Sequence, residues 1–211
     1  MITLEKPYSV RKSGIENEGI SFGIKKDGLA HIFNVLRNQL YSNKILAVIR
    51  EYSCNAYDAM VEAGTSDQKF VVTCPTFDDP CFKVRDFGSG LSPEGIAEVY
   101  AYYGESTKRQ SNAFIGQLGL GSKSGFAYGD NFVIKSFYRG TLYTYNAYLD
   151  ETKIGQILLM DEEATSENDG VEIVIPVKVR DISTFKETIA SFFKHFKSKP
   201  IINNIEKVYL E

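Results

Sequence analysis

Cysteine is scarce in this chain, with three among 211 residues, and histidine is scarcer, with two. Cys54, Cys74 and Cys81 form no CxxC pair. An odd and sparse count argues against a disulfide framework and fits a reducing compartment. Only His31 and His195 could assist the thiols, so zinc-type ligand spacing is absent, and each imidazole reads as a helix-surface or packed residue. Long apolar runs are missing too. No stretch reaches the ~18 to 20 residues that a membrane-spanning helix needs, and no signal peptide opens the chain, so the expected location is a cytoplasm. Neither sign of charge dominates: 24 Lys and Arg against 27 Asp and Glu leave a net charge of -3. Such a surface does not attract nucleic acid strongly, and no direct nucleic-acid partner is expected. The single basic cluster, Lys194 to Lys199, reads as a solvated helix end. Repeats and low-complexity segments are also lacking.

What is present is the composition of an ordinary globular domain, 43% hydrophobic and 24% charged. The length suits one domain, or one with an appendage, around a substantial core. Residues 1–26 read as an N-terminal arm with short apolar alternation. From Asp27 to Tyr41, Leu29, Ile32, Phe33, Leu36 and Leu40 recur at helical spacing. A second helix is predicted from a cap at Ser42 or Asn43 to Ala63, stopped by Gly64. Strands are predicted at Phe70–Cys74 and Cys81–Arg85, joined by the turn-rich Pro75–Pro80. Ser92 caps a short helix beginning at Pro93. From about Ala101 to Ile115 the chain is polar and too long for a tight connection, which has the properties of a lid; with the short helix before it, the lid is taken as residues 92–115. Four strands follow, at Phe132–Tyr138, Leu142–Leu149, Ile154–Met160 and Val171–Val179, the first two joined by Arg139-Gly140-Thr141. Residues 181–211 are expected to hold a C-terminal helix, from about Ser183 to Phe196, and a tail. Helices, then strands, then a helix predict an α+β fold, a two-layer sandwich of a largely antiparallel sheet covered on one face by helices.

Four segments carry chemistry. On the helix from Asn43 to Ala63, Glu51, Asn55 and Asp58 fall within about 60° of one another at 100° per residue. The stripe of Ile45, Ile49, Tyr52, Ala56 and Ala59 is turned from them by roughly 120°. The acids therefore border the core instead of opposing it, where a pocket can lie; a plain polar helix face is the alternative. Asp86-Phe87-Gly88-Ser89-Gly90-Leu91 follows a predicted strand. It reads either as a simple Asp-Gly turn or as a carboxylate that accepts an adenine amino N–H, with Gly88 and Gly90 letting backbone approach the base. Gly116-Gln117-Leu118-Gly119-Leu120-Gly121-Ser122-Lys123-Ser124 matches neither the dinucleotide fingerprint nor the P-loop. Its glycines nevertheless free backbone N–H groups to surround phosphate oxygens, unless it is only a flexible surface loop. Gly170-Val171-Glu172-Ile173 opens the last of the four strands.

Together and in this order, the four segments resemble the ATP site of the GHKL superfamily, which groups the gyrase B subunit, the ninety-kilodalton heat-shock chaperone, histidine kinases and MutL proteins. The resemblance implies the Bergerat ATP-binding fold, ATP as ligand and Mg²⁺ as cofactor. Residue by residue, it implies Glu51 as the base that activates water, Asn55 as the Mg²⁺ ligand and Asp58 as a supporting acid. It implies Asp86 as the adenine reader, with Gly88, Gly90 and Leu91 beside it. It places Gly116, Gln117, Leu118, Gly119, Leu120, Gly121, Ser122 and Lys123 around the phosphates. Ser106, Thr107 and Lys108 resemble the Ser/Thr-Lys element of some family lids. Where the family commonly has Thr after the strand-opening Gly, this chain has Val171, which cannot join a water network around adenine.

Ile49-Arg50-Glu51, Arg85 to Gly88, Leu118 to Ser124, Val171 to Val177 and Pro200 to Asn203 also resemble the N-terminal part of the rIIA proteins of T-even bacteriophages. That likeness implies a protein of an infected bacterium linked to lysis inhibition. It points to a phage or host protein partner and to peripheral association with the inner membrane. The superfamily resemblance implies a homodimer formed on ATP binding. It also implies slow hydrolysis by this chain alone, since relatives take a Lys or Arg for the γ-phosphate from a second domain. The alternative is a nucleotide-gated interaction module with little or no turnover. A histidine-kinase-like phosphotransferase is disfavoured because neither His31 nor His195 lies in a dimerisation-helix pattern. A DNA-acting enzyme is disfavoured because no basic groove is visible.

Overall fold

The computed structural model describes residues 42–101, 121–196, 198–206 and 209. Helix α1 (Lys44–Ala63) starts where the Asn43 side chain accepts the Leu46 N–H at 3.0 Å. It stops at Gly64, whose φ of 73° lets its N–H turn back to the Met60 and Val61 carbonyls. Strands β1 (Val71–Thr73) and β2 (Cys81–Arg85) follow, then the short helix α2 (Pro93–Ile96), capped by Ser92 and continued by one π-helical turn to Ala101. A 3₁₀ turn at Gly121–Lys123 leads into α3 (Gly125–Tyr128). Next come β3 (Asn131–Tyr138), β4 (Thr141–Leu149), β5 (Gly155–Ala164) and β6 (Gly170–Pro176). A 3₁₀ turn at Val179–Asp181, helix α4 (Ile182–Lys194) and β7 (Ile201–Asn203) complete the described elements.

The strands form one seven-stranded sheet in the order β5-β4-β3-β6-β2-β1-β7. Every pair is antiparallel except β1 with β7. Alternation along the strands puts one set of side chains onto the helices. Phe82 faces Ile175, Val84 faces Ile173, and Ile173 in turn faces Ile134 across the sheet. These residues join Val48, Ile49 and Met60 of α1 and Phe185 and Ile189 of α4 in one core. Burying each large side chain contributes about 2–3 kcal/mol. The intervening positions, such as Lys135 paired with Glu172 at 3.7 Å, lie on the other face and are part-exposed. This is the α+β two-layer sandwich expected.

Three differences are physical. The last predicted strand ends at Pro176, three residues early, because proline cannot donate to a ladder and Val179 already begins a 3₁₀ turn. The tail contains a strand, β7, which three short residues could not signal without their partner β1. β5 extends to Ala164, well past Met160, because an acidic edge strand shows no apolar alternation. The N-terminal arm, the helix predicted at 27–41 and the lid beyond Ala101 lie outside the described residues.

Candidate functional site

Two glycine turns close onto α1, at successive levels along its axis. A Cβ on Gly121 would stand 2.8 Å from Glu51 Oε2 and 3.7 Å from Asn55 Nδ2. A Cβ on Gly88 would stand 3.0 Å from the Ala59 carbonyl oxygen. Backbone therefore meets the helix directly at both points. Eight residues separate Glu51 from Ala59, or about 12 Å of helix axis. Glu51 Oε1 accepts from Arg50 Nη2 at 2.7 Å and from Nε at 3.2 Å, leaving Oε2 as the oxygen that faces Gly121. Asn55 is half-buried beside it, whereas Asp58 is fully buried and offers no surface.

Tyr52, on the apolar stripe, is the anchor that sequence reasoning missed. Its hydroxyl donates to the Ser122 carbonyl at 3.0 Å and accepts from the Gly125 N–H at 2.9 Å, tying the end of the glycine loop to α1. A tyrosine in an otherwise aliphatic stripe is the signal that points to it.

Asp86 sits at the end of β2, 6% exposed. Its Oδ1 accepts the Gly88 N–H at 2.9 Å and the Val171 N–H at 3.1 Å, while its own N–H donates to the Val171 carbonyl at 2.9 Å. The carboxylate is thereby oriented by backbone from both β2's end and β6. Val171 supplies this through its main chain, so the missing threonine hydroxyl leaves the placement of Asp86 untouched. Gly90 has φ of 66°, and a Cβ there would overlap the Phe137 carbonyl oxygen. Leu91 is fixed in both directions by Ser136, whose Oγ accepts from its N–H and donates to its carbonyl, each at 2.8 Å.

Arg85 has a structural role that its place in the sequence does not signal. Its buried guanidinium donates to the Asp86 and Asn168 carbonyls and lies 3.9 Å from the Phe137 ring centre and 4.9 Å from that of Phe87. Burial lowers its pKa from the ordinary guanidinium value. It clamps the loop before β6 against the end of β2 and leaves no room for a Cβ on Gly170.

Lys123 is turned toward the π-helical turn that follows α2. Its ammonium donates to the Val99 carbonyl at 3.1 Å and to Ser122 Oγ at 3.3 Å. Burial pushes its pKa down to about 8. Ser122 Oγ also donates to the Val99 carbonyl, at 3.3 Å. The structure thus brings together Glu51, Asn55 and Gly121 at one place, and Asp86, Gly88, Gly90 and Leu91 at another, along the same helix. Ser106, Thr107, Lys108, Gly116, Gln117, Leu118, Gly119 and Leu120 lie outside the described residues. Among the described residues no three His, Cys, Asp or Glu side chains cluster to hold a metal. The donors present are oxygens of one carboxylate and one amide, a hard set that suits a Mg²⁺ ion keeping most of its waters.

Fold and site define a two-layer α+β domain in which an acid–amide helix face meets a strand-end carboxylate and a glycine turn. The chain is similar to the chaperone protein HtpG of Rickettsia typhi, 26% identical over 196 aligned residues that cover 82% of this chain. It is similar to the same degree, over the same span, to HtpG of Rickettsia prowazekii. It spans 30% of the length of these relatives. No family model matches it. No helix among the described residues is long and apolar enough to cross a membrane.

Proposed function

We propose that this chain is a Mg²⁺-dependent, GHKL-type ATP-binding domain that hydrolyses ATP slowly. The distant likeness to HtpG, a chaperone of a GHKL ATPase family, supports the ATP-binding reading. The observation that carries it is the pair of backbone approaches to α1: Gly121 against Glu51 and Asn55, Gly88 against Ala59. Their spacing of about 12 Å along the helix matches the reach of an extended nucleoside triphosphate. Adenine would lie by Asp86, Gly88, Gly90 and Leu91, and the phosphates by Asn55 and the turn at Gly121.

In this reading Asp86 accepts the N–H of the adenine amino group, its orientation set beforehand by the Gly88 and Val171 N–H groups. Mg²⁺, where bound, supplies charge neutralisation at the phosphates, and the Asn55 side-chain oxygen is the protein group that would hold it. Glu51 takes the proton of the attacking water through Oε2, since Oε1 is engaged by Arg50. Asp58, buried beneath this face, supports the helix instead of touching ligand. Ser122 belongs with the phosphate turn through its backbone, and Lys123 contributes its charge from the α2 side.

The second reading, a nucleotide-gated interaction module with little turnover, is favoured by the commitment of Glu51 to Arg50 at 2.7 Å. The phage rIIA-type assignment rests on the likeness of the motif residues alone. With it come the cytoplasm of an infected host, peripheral inner-membrane association, a phage or host partner and ATP-dependent homodimerisation.

Calorimetric titration with a non-hydrolysable ATP analogue, with and without Mg²⁺, tests the proposal. Wild type should bind in a Mg²⁺-dependent manner and Asp86→Asn should not. Glu51→Ala should keep binding and lose turnover. Absence of binding by the wild type refutes the reading.

A further inference from the structure

Strand β5 closes one side of the sheet. Its ten residues pair with β4 along one side, and among the described residues no strand lies beyond it. An edge of that length presents a row of backbone N–H and C=O groups, a template for another strand. Monomeric proteins blunt such edges with proline, lysine, short strands or bulges. Gly155–Ala164 holds neither proline nor lysine. Its one irregularity is Met160, which the ladder skips in passing from Leu159 opposite Tyr145 to Asp161 opposite Thr144.

The side chains of this edge are apolar where water would favour charge. Leu158, Leu159 and Met160 are 53%, 44% and 60% exposed. Of the large apolar side chains exposed among the described residues, these three alone are consecutive. Ile157 and Leu159 share the helix side of the sheet with their β4 partners Ala147 and Tyr145, both buried, while Leu158 lies with Asn146 on the open face. A strand laid along this edge would therefore cover apolar groups on both faces. Charge is divided along β5 as well. Asp161, Glu162 and Glu163 fill its C-terminal half, Gly155 to Leu159 carry no charge, and Lys153 stands just before the strand.

That division selects the partner and its direction. A second copy laid parallel would set acids beside acids, which is unfavourable. Laid antiparallel, the acids of each copy meet the uncharged half and the lysine of the other. With Leu158 on the twofold axis, Ile157 falls opposite Leu159, Gln156 opposite Met160 and Lys153 opposite Glu163, each pair occurring twice.

We propose that β5 is a self-association edge: two copies of this chain pair antiparallel through β5 into one continuous sheet, with Leu158 at the twofold axis and Lys153 of each copy beside Glu163 of the other. The association needs no nucleotide, because Glu51, Asn55 and Asp86 all lie off β5, and it is separate from the ATP-dependent dimer considered above. Contact through one pair of strands is small for a protein interface, so the affinity is micromolar.

Sedimentation of the full chain without nucleotide, from about 2 μM to about 500 μM, tests this. A passage from monomer to dimer is expected, with a midpoint of about 10–100 μM. Lys153→Glu and Glu163→Lys should each weaken the dimer about three- to tenfold, since two exposed ion pairs are lost together. The double variant restores opposite charges and should return to near the wild-type midpoint. Leu158→Lys sets two cations at the axis and should leave a monomer. Leu158→Cys should give a disulfide-linked dimer on mild oxidation beyond any formed by wild type, and Phe77→Cys, exposed between β1 and β2 on the far side of the sheet, should not. A chain still monomeric at the highest concentration overturns the proposal. So does a dimer that Leu158→Lys and both charge reversals leave intact. Slow amide hydrogen exchange along β5 in the monomer also overturns it, because another part of the same chain would then cover the edge.

Discussion

Replacing Tyr52 by Phe removes one oxygen atom and tests whether the glycine turn is held to α1 as described. The ring itself stays, 2% exposed and 6.0 Å from the Phe132 ring centre. What goes is an acceptor for the Gly125 N–H at 2.9 Å and a donor to the Ser122 carbonyl at 3.0 Å. Gly125 is buried, so its N–H loses a partner with no water to replace it. Such an orphan costs about 1–3 kcal/mol, and the bond to Ser122 adds about 0.5–1.5 kcal/mol. The expected loss is therefore about 2–4 kcal/mol. With a urea slope of about 1–3 kcal/mol per molar, the midpoint should fall by about 1 M. Tyr57→Phe is the control: its ring packs edge-on against Phe196 and its hydroxyl has no described hydrogen bond, so its stability should stay within about 0.5 kcal/mol of wild type. Because Tyr52 also sets Gly121 against Glu51, affinity for the ATP analogue should drop in Tyr52→Phe and hold in Tyr57→Phe. A Tyr52→Phe protein as stable as wild type refutes the anchor.

Gly121→Ala and Gly90→Ala should separate function from stability. At Gly121 the one tight contact of the new methyl is with the end of a flexible side chain, Glu51 Oε2 at 2.8 Å, so stability should change by less than about 1 kcal/mol while turnover is lost. At Gly90 it meets the rigid Phe137 backbone at φ of 66°, so urea unfolding should show a loss above about 2 kcal/mol. Lys123 gives a pH signature. Its pKa is about 8 folded against 10.5 unfolded, so between these values the unfolded chain binds more protons. The penalty of burying the charge is full below pH 8 and relieved as pH rises toward 10.5, a gap of about 3 kcal/mol. Cys54 and Cys74 act oppositely: burial raises their folded pKa values from 9.0 to about 11 and about 12, so their contribution falls above pH 9. The difference between wild type and Lys123→Met isolates the lysine. Wild type should gain stability on that variant from about pH 8 to about pH 10, measured by thermal unfolding, and a flat difference contradicts the buried ammonium.

Local chemistry is legible in the chain itself. Asn43, Gly64 and Ser92 mark helix ends through side-chain acceptors and a left-handed residue, interactions that span three or four positions and need no partner element. Strand alternation located β2, β3 and β4 to within a residue because each has one face on the core. The Glu51–Asn55–Asp58 spacing put three polar groups at a core boundary, but helical periodicity cannot say how deep a side chain lies. Only the packed structure shows Asp58 fully buried and Asn55 half-open. The same limit hid β7, whose three residues are a strand only because β1 runs alongside. It hid Arg85 as well, whose cation is tolerated inside because Phe87 and Phe137 stack on it and the Asp86 and Asn168 carbonyls accept its N–H groups. Lys123 belongs to the phosphate loop by sequence, yet its ammonium lies on the α2 side. One-dimensional spacing carries the hydrogen bonds that close within a turn of helix. Which glycine meets which carboxylate, and which lysine loses its water, depends on segments distant in the chain, and that is decided when the helical layer settles on the sheet.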